Sequence, residues 1–328
     1  MEIAESDHVV VATVNLDEAE QHAWKEADVP VDIVRLADSD SLDEATLARL
    51  GFVARPHWIN WCAPVRDSAT EFEAALSGAE RRNIRLGRRF VQDEGLHVGV
   101  RVGLTPELVD EFLVLYDRQI ETMPRGKNFA RRWRDRLLAA GHEHVSVCVY
   151  EGTRMIVGSL WWIRPEQSVL QLRFSAASVD ARLSRVMRVA YVEAFHFARE
   201  SGLAFASLGN DPSLFGHVVQ PGLFTFKSRF GFAPVPSQVL APHLAGEHAD
   251  MFLTLRSLSD PALVVTWGRH RGSTPSWPES AQAPGHDLLI LWTSPDETLT
   301  SRFRTRGFRE IRSVSVMPQA GDVLPPRG

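Results

Sequence analysis

Ser201-Gly-Leu-Ala-Phe-Ala-Ser-Leu-Gly209, followed after a loop by Gly222-Leu-Phe-Thr-Phe226-Lys227-Ser-Arg-Phe-Gly231-Phe232, decides how this chain folds. Gly202 closes a helix, Leu203–Leu208 reads as a strand, Leu223–Phe230 as a helix, and Phe232–Val239 as a closing strand. Upstream, Ala181–Ser201 reads as a long helix. Its apolar stripe of Leu183, Met187, Ala190, Ala194 and Ala198 has helical spacing. Before it come three strands, His144–Tyr150, Met155–Ile163 and Val169–Ser175, the first two joined by Glu151-Gly152-Thr153. Two helices precede them, Pro106–Thr122, with Thr105 as cap and Pro106 at its first position, and Asn128–Ala140. The order of elements is α+β, not a regular βαβ winding.

Further out, His8–Val14, Val31–Leu36, Trp58–Ala63 and Leu96–Val102 read as strands. Asp17–Ala27, Leu42–Leu50, Thr70–Leu76 and Ala79–Glu94 read as helices, with Ser41-x-x-Glu44 and Ser68-x-x-Glu71 as capping boxes. Beyond a Pro- and Gly-containing stretch, Ser273–Gly285, the pattern predicts a strand at Asp287–Trp292, a helix at Glu297–Thr305 and a strand at Ile311–Val316. A helix running into Gly-Phe recurs at Gly51-Phe52, Gly231-Phe232 and Gly307-Phe308, as in a duplicated domain. We therefore expect three parts. Residues 1–103 form an N-terminal domain including the basic helix 79–94, and 104–240 a second domain. Residues 241–328 form an extension that completes or packs on the first.

The chain has 328 residues, 44% hydrophobic and 23% charged, with a net charge of -5, which excludes a globally basic nucleic-acid-binding surface but not a local one. Cys62 and Cys148 are too few for a disulfide framework or a cysteine zinc site. Met1–Asp7 lacks a basic or apolar signal region, and no apolar run approaches the ~18 residues of a membrane helix. A cytoplasmic protein without membrane insertion is the expectation. No nucleotide-hydrolase, dinucleotide-binding, serine-hydrolase or zinc-protease motif occurs. His142-Glu143-His144, the closest His pair, reads as solvated, so neither metal nor cofactor is implied.

The quoted stretch resembles the FemX/FemAB-like branch of the GNAT superfamily, the step Phe226-Lys227-x-x-x-Gly231 being its most specific part. Leu76-Ser-Gly-Ala-Glu-Arg81-Arg-Asn-Ile-Arg85-Leu-Gly-Arg88-Arg89 is similar to the stretch that this branch places between its two GNAT-like halves. Val149-Tyr-Glu-Gly152-Thr-Arg-Met-Ile-Val-Gly158-Ser is similar to the GNAT core hairpin. Together these cover about residues 68–236. The resemblance implies tandem GNAT-like domains with mixed central sheets flanked by helices. It also implies an aminoacyl-tRNA-dependent acyltransferase that makes an amide bond on an amine. The acceptor is then a small molecule in natural-product biosynthesis or a peptidoglycan precursor. Relatives on the same fold use acyl-CoA, binding its pyrophosphate at a glycine-rich helix start. Here that start reads Arg182-Leu-Ser-Arg185-Val-Met-Arg188, with Leu183, Val186 and Met187 in place of glycines, which favours a tRNA 3′ end as carrier. An acyl-CoA N-acyltransferase and a non-catalytic binding module stay open as alternatives.

Amine attack on an activated ester needs a cation or N–H donors at the developing oxyanion. Lys227, one of only three lysines with Lys25 and Lys127, matches the family's F-K position and would be that cation; otherwise it is a surface residue. Phe224, Phe226 and Phe230 would anchor its helix. Asp211 would accept a proton from, or hold, the incoming ammonium; otherwise it caps a helix. Arg173, Phe174 and Asn210 fall where the fold borders its central cleft, and with Phe226 and Trp161 make up the expected substrate contacts. Of Trp161 and Trp162, one belongs to the core. Arg81, Arg82, Arg85, Arg88 and Arg89 fall on adjacent faces of one helix and repel one another unless an anion lies alongside. Lys127, Arg131 and Arg132, with Arg125, Arg134 and Arg136, form a second basic set. Both are read as tRNA contacts, against the alternative of a solvated, salt-bridged face.

Overall fold

A computed structural model describes residues 1–123, 126–273, 276–283, 285–294, 303 and 307–316. Apart from Phe303, the expected helix Glu297–Thr305 lies outside the described residues, as does Arg125. The architecture is α+β, with mixed sheets flanked by helices. Two compact units divide the chain: 1–60, 210–228 and 233–328 form one, and 61–209 with 229–232 the other.

In the first unit a five-stranded sheet runs in the order Glu2–Ser6, Val9–Val14, Ile33–Leu36, Glu247–Phe252, Val53–Pro56. The strand Glu247–Phe252 pairs antiparallel with both neighbours, Asp250 facing Arg35 on one side and Val53 on the other. Alternation along the strands gives each face a core. Val9 and Ile33 pack with Leu214, Val264, Leu289 and Leu291, whereas Ala12, Val14, Val34 and Leu36 pack with Trp24, Leu47, Phe52 and Trp267. The second sheet, Leu214–Phe215, Ala262–Thr266, Asp287–Trp292, Ile311–Ser315, supplies the former group. Two local expectations shift. The helix at 44–49 is capped by Asp43, which accepts from Thr46 N at 2.7 Å, because Ser39–Ser41 forms a 3-10 turn of its own. The helix expected over Asp17–Ala27 stops at Glu20, and His22 at φ 55° starts a separate 3-10 turn.

In the second unit the strand residues 61–64 and 205–209 and the strands Val169–Ala177, Arg154–Arg164, His144–Glu151 and His97–Val102 lie side by side in that order. The strands Phe205–Pro212 and Val169–Ala177 run parallel, in register only at Phe205–Ser207 against Val169–Gln171. Past that point the ladder ends while both strands continue. Gly209 sits there at φ 77°, where an added Cβ would stand 3.0 Å from the Leu172 carbonyl, so the bend needs glycine twice over. The helix Pro106–Glu121 buries Leu108, Val109, Phe112 and Leu113 among the strands' Cys148, Leu160 and Ala176.

The long helix departs from the expectation. It is two pieces, Val179–Leu183 and Val186–Glu200, broken at Arg185, whose φ is 69°. Leu183, expected in the apolar stripe, is 71% exposed, and Val186 and Val189 take the buried positions. Likewise Asn128–Ala140 resolves into Phe129–Arg132 and Arg134–Ala139, meeting at Trp133.

Candidate functional site

Asn210-Asp211-Pro212-Ser213, at and just past the end of the strand Phe205–Pro212, carries three polar side chains, and each is tied down. Asp211 Oδ2 accepts from Lys227 Nζ at 2.7 Å, with the two residues only 6% and 5% exposed. Asn210 Oδ1 accepts from Asn60 Nδ2 at 2.7 Å and from Ser237 Oγ at 3.0 Å. Ser213 Oγ donates to the Pro56 carbonyl and accepts from Arg55 Nη1 at 2.9 Å. Lys227 therefore is no surface residue, and Asp211, inside the strand Phe205–Pro212, caps no helix. The helix Pro221–Arg229 is short and fixes Lys227 through its neighbour Phe224, which is fully buried and packs on Phe215 and Phe308. Phe226 is half-buried on the same helix.

A second buried charge cluster lies in the same unit. Asp250 accepts from Arg55 at 2.7 and 2.9 Å and from Arg35 at 2.8 and 3.1 Å across three neighbouring strands. Burial pushes the Asp250 carboxyl up, but Arg55 and Arg35 outweigh it and hold the group at about 2. Beside them, His248 stacks on His57 with ring centroids 3.8 Å apart. Burial first, then Arg55 and Arg35, drive His248 down to about 2.

The remaining expected residues lie in the second unit. Arg173 is the extra residue of a β-bulge, because Leu160 pairs with Phe174 and Trp161 with Leu172. Phe174 packs edge-on to Tyr116 at 5.9 Å. Trp161, expected to touch substrate, is the core member of its pair. It is fully buried, donates to Ser159 Oγ at 2.8 Å and meets Tyr191 edge-on, while Trp162 reaches the surface. His144 is also buried, not solvated, its Nδ1 2.7 Å from the Ala140 carbonyl.

The arginine helix spans Gly78–Asp93, capped by Ser77. Arg88 pairs with Glu73 at 2.7 Å, and Arg81 donates to the Leu76 carbonyl at 2.7 Å. Arg82, Arg85 and Arg89 are exposed and have no ion-pair partner among the described residues. The opposite side of this helix packs on the broken one. Glu80 pairs with Arg188, Asn83 accepts from Arg185 Nε at 3.0 Å, and a Cβ on Gly87 would lie 2.8 Å from the Arg185 carbonyl. In the other basic set, Lys127 and Arg132 are exposed, while Arg131 pairs with Asp117 and Arg134 with Asp110.

No family model and no curated protein sequence matches this chain. Among solved structures the chain is similar to FemX. The likeness to that crystal structure is 14% identity over 76% of this chain and 83% of the other, at a TM-score of 0.41. L-PGS from Bacillus licheniformis is similar at 13% identity, over 76% of this chain and 79% of its own, also at 0.41. No helix among the described residues is long and apolar enough to cross a membrane.

Reading residues alone missed Asn60, Ser237, Arg55 and Asp250. Asn60 did carry a signal, as the only polar residue inside the apolar run Trp58-Ile-Asn-Trp-Cys-Ala63. Arg55 and Asp250 lie 195 residues apart, and nothing local marks either.

Proposed function

We propose that this protein transfers an aminoacyl group from tRNA to an amine acceptor, forming an amide bond. The observation that carries the reading is the buried Lys227–Asp211 pair, 2.7 Å apart, at the end of a strand whose polar side chains are all held. The acceptor's neutral amine attacks the ester carbonyl, and negative charge develops on its oxygen. Lys227 stabilises that charge and gives a proton to the departing ribose oxygen; the amine nitrogen, now part of the amide, supplies the proton that restores it. Asp211 fixes the ammonium and takes the extra proton when the acceptor arrives charged. Asn60 and Ser237 hold Asn210 beside it, and Phe226 and Asn210 contact the substrates. Arg82, Arg85 and Arg89 are the members of the arginine helix left for tRNA phosphates.

The acyl-CoA alternative is opposed by the start of the helix Val186–Glu200, where the Gly78–Asp93 helix presses on Arg185 and engages Arg188. We favour a small-molecule acceptor because residues 240–328 lie outside the stretch that resembles the peptidoglycan-building family. The test is to incubate the protein with total charged tRNA and a panel of amines, with acyl-CoAs in parallel. Amine-dependent loss of charged tRNA with a new amide is expected. Consumption of acyl-CoA instead would reverse the choice of carrier.

A further inference from the structure

Five side chains of the second unit form an alternating stack of cations and aromatic rings. The Arg136 guanidinium lies 4.9 Å from the centre of Trp133, and Arg173 lies 5.0 Å from the same ring. Arg173 also lies 5.7 Å from Trp162, and Arg164 lies 4.6 Å from that ring. Arg136 is exposed and the other four are half-buried. Three arginines thus share two indoles.

Among the described residues no carboxylate pairs with Arg136 or Arg173. Glu143, at the stack, accepts from Trp162 Nε1 at 3.0 Å, and Asp135 pairs with Arg134. Arg164 donates to the neutral Gln171 amide at 2.9 Å. Burial, then the neighbouring Arg164, push Arg173 below the usual guanidinium range, as expected of a cation kept near another cation. Cation–π contact recovers part of that cost. A merely structural stack would be served better by a paired or neutral residue, since an uncompensated half-buried charge is destabilising. The β-bulge also places Arg173 out of the ladder register.

We propose that this arginine–tryptophan stack binds the sugar–phosphate backbone and bases of a single-stranded RNA end. A guanidinium with rings on its faces leaves its N–H edges directed outward in a fixed fork, which suits phosphate oxygens. Planar groups at its ends suit bases, and bases stack on aromatic and guanidinium planes without sequence preference. An acidic peptide would satisfy the charge but not the planes. The inference rests on the reading above that the carrier is tRNA, and it names a contact for that carrier in the second unit.

The test is fluorescence titration of a short single-stranded RNA against the full chain over a range of salt concentrations. Arg136→Gln with Arg173→Gln is expected to weaken binding at least tenfold and to lower the log–log salt slope by about 1.4, at about 0.7 per phosphate contact. Arg136→Gln alone, at an exposed position, should lower it by about 0.7 and guards against a folding defect in the double variant. Unchanged affinity and slope in both variants overturns the proposal. So does equal competition by polyglutamate or by anionic phosphatidylglycerol vesicles at matched charge. Transfer is scored separately. Charged-tRNA consumption with an unaltered KM for tRNA in the double variant overturns the stack's role and leaves the transferase reading. RNA binding lost in the variants, without any transfer by the wild type, does the reverse.

Discussion

Asp250 and Asp211 are two carboxylates in the same unit, both buried and both ion-paired, yet they are built differently. Asp250 is held by two arginines in four hydrogen bonds, across strands that already pair with each other. Asp211 has Lys227 as its one ion-pair partner among the described residues, and the pair joins a strand end to a short helix. The first arrangement uses planar, bidentate donors that match a carboxylate and leave little for a ligand. The second uses a compact, titratable ammonium on a flexible stem. We read the first as scaffold and the second as machinery, and the difference makes separable predictions.

The largest effect should come from Asp250→Asn, which leaves Arg55 buried without its counter-charge. Breaking a buried pair in this way costs about 3–5 kcal/mol, measured as a fall in the denaturation midpoint. Arg55→Met should cost less, because Arg35 still holds Asp250. If both variants unfold no more easily than the wild type, the scaffold reading is wrong.

Lys227→Met does two things. It removes the cation that the proposed mechanism places at the oxyanion, and it strands Asp211 as a buried charge, so a simple loss of activity would be ambiguous. Lys227→Met with Asp211→Asn replaces the pair by neutral groups. Its stability should return to within about 1.5 kcal/mol of wild type while single-turnover transfer stays about 10²–10³ lower, since a positioned donor acts mainly in the transition state. Lys227→Arg should recover only part of the rate. A double variant that transfers normally at saturating substrates would make the pair scaffold too.

Lys227 and Asp211 were each marked by local sequence, Lys227 by a short-range motif and Asp211 by its place after a strand, but their pairing was not read. The Gly78–Asp93 helix was legible because its signals are local, down to the glycine at 95 that ends it. Glu247–Phe252 was not. Its alternation places His248 and Asp250 where a sheet rule expects apolar residues, and their partners come from strands near residues 35 and 55. Arg185 was missed for a related reason. Sequence periodicity runs smoothly through it, and the break is fixed by Asn83 and Gly87 on another helix. Local chemistry was readable; long-range charge pairing was not.

Acidification should weaken the scaffold by a smaller amount. His248, at about 2, and His286, brought by burial to about 3, stay neutral in the folded chain, whereas a free imidazole titrates near ~6.5. Below that value the unfolded chain binds protons that the folded chain refuses. Stability is therefore fully present above about pH 6.5 and falls as pH drops, by up to ~1.4 kcal/mol per pH unit for each residue. His248→Phe, which keeps a ring on His57, should flatten this dependence between pH 7.5 and 5.5. An equal slope in that variant would remove His248 from the account.

The smallest energetic effect carries the comparison outside the core, to charges whose partner is not in the protein. Arg82, Arg85 and Arg89 are exposed without ion pairs among the described residues, while Arg131 and Arg134 are matched to Asp117 and Asp110. An exposed arginine row without acids is stable enough in salt water, so replacing Arg85 and Arg89 by Ala should change folding by no more than about 0.5 kcal/mol. If that row tracks tRNA phosphates, the log–log salt slope of tRNA binding should fall by about 0.7–0.9 for each residue removed. The matched pair behaves otherwise, since Arg131 and Arg134 already answer carboxylates, and replacing them should leave the slope unchanged. Arg88, paired with Glu73, should fall between the two sets. Equal slopes for all three sets would mean that internal pairing does not sort the arginines, and the helix Gly78–Asp93 would return to being a solvated face.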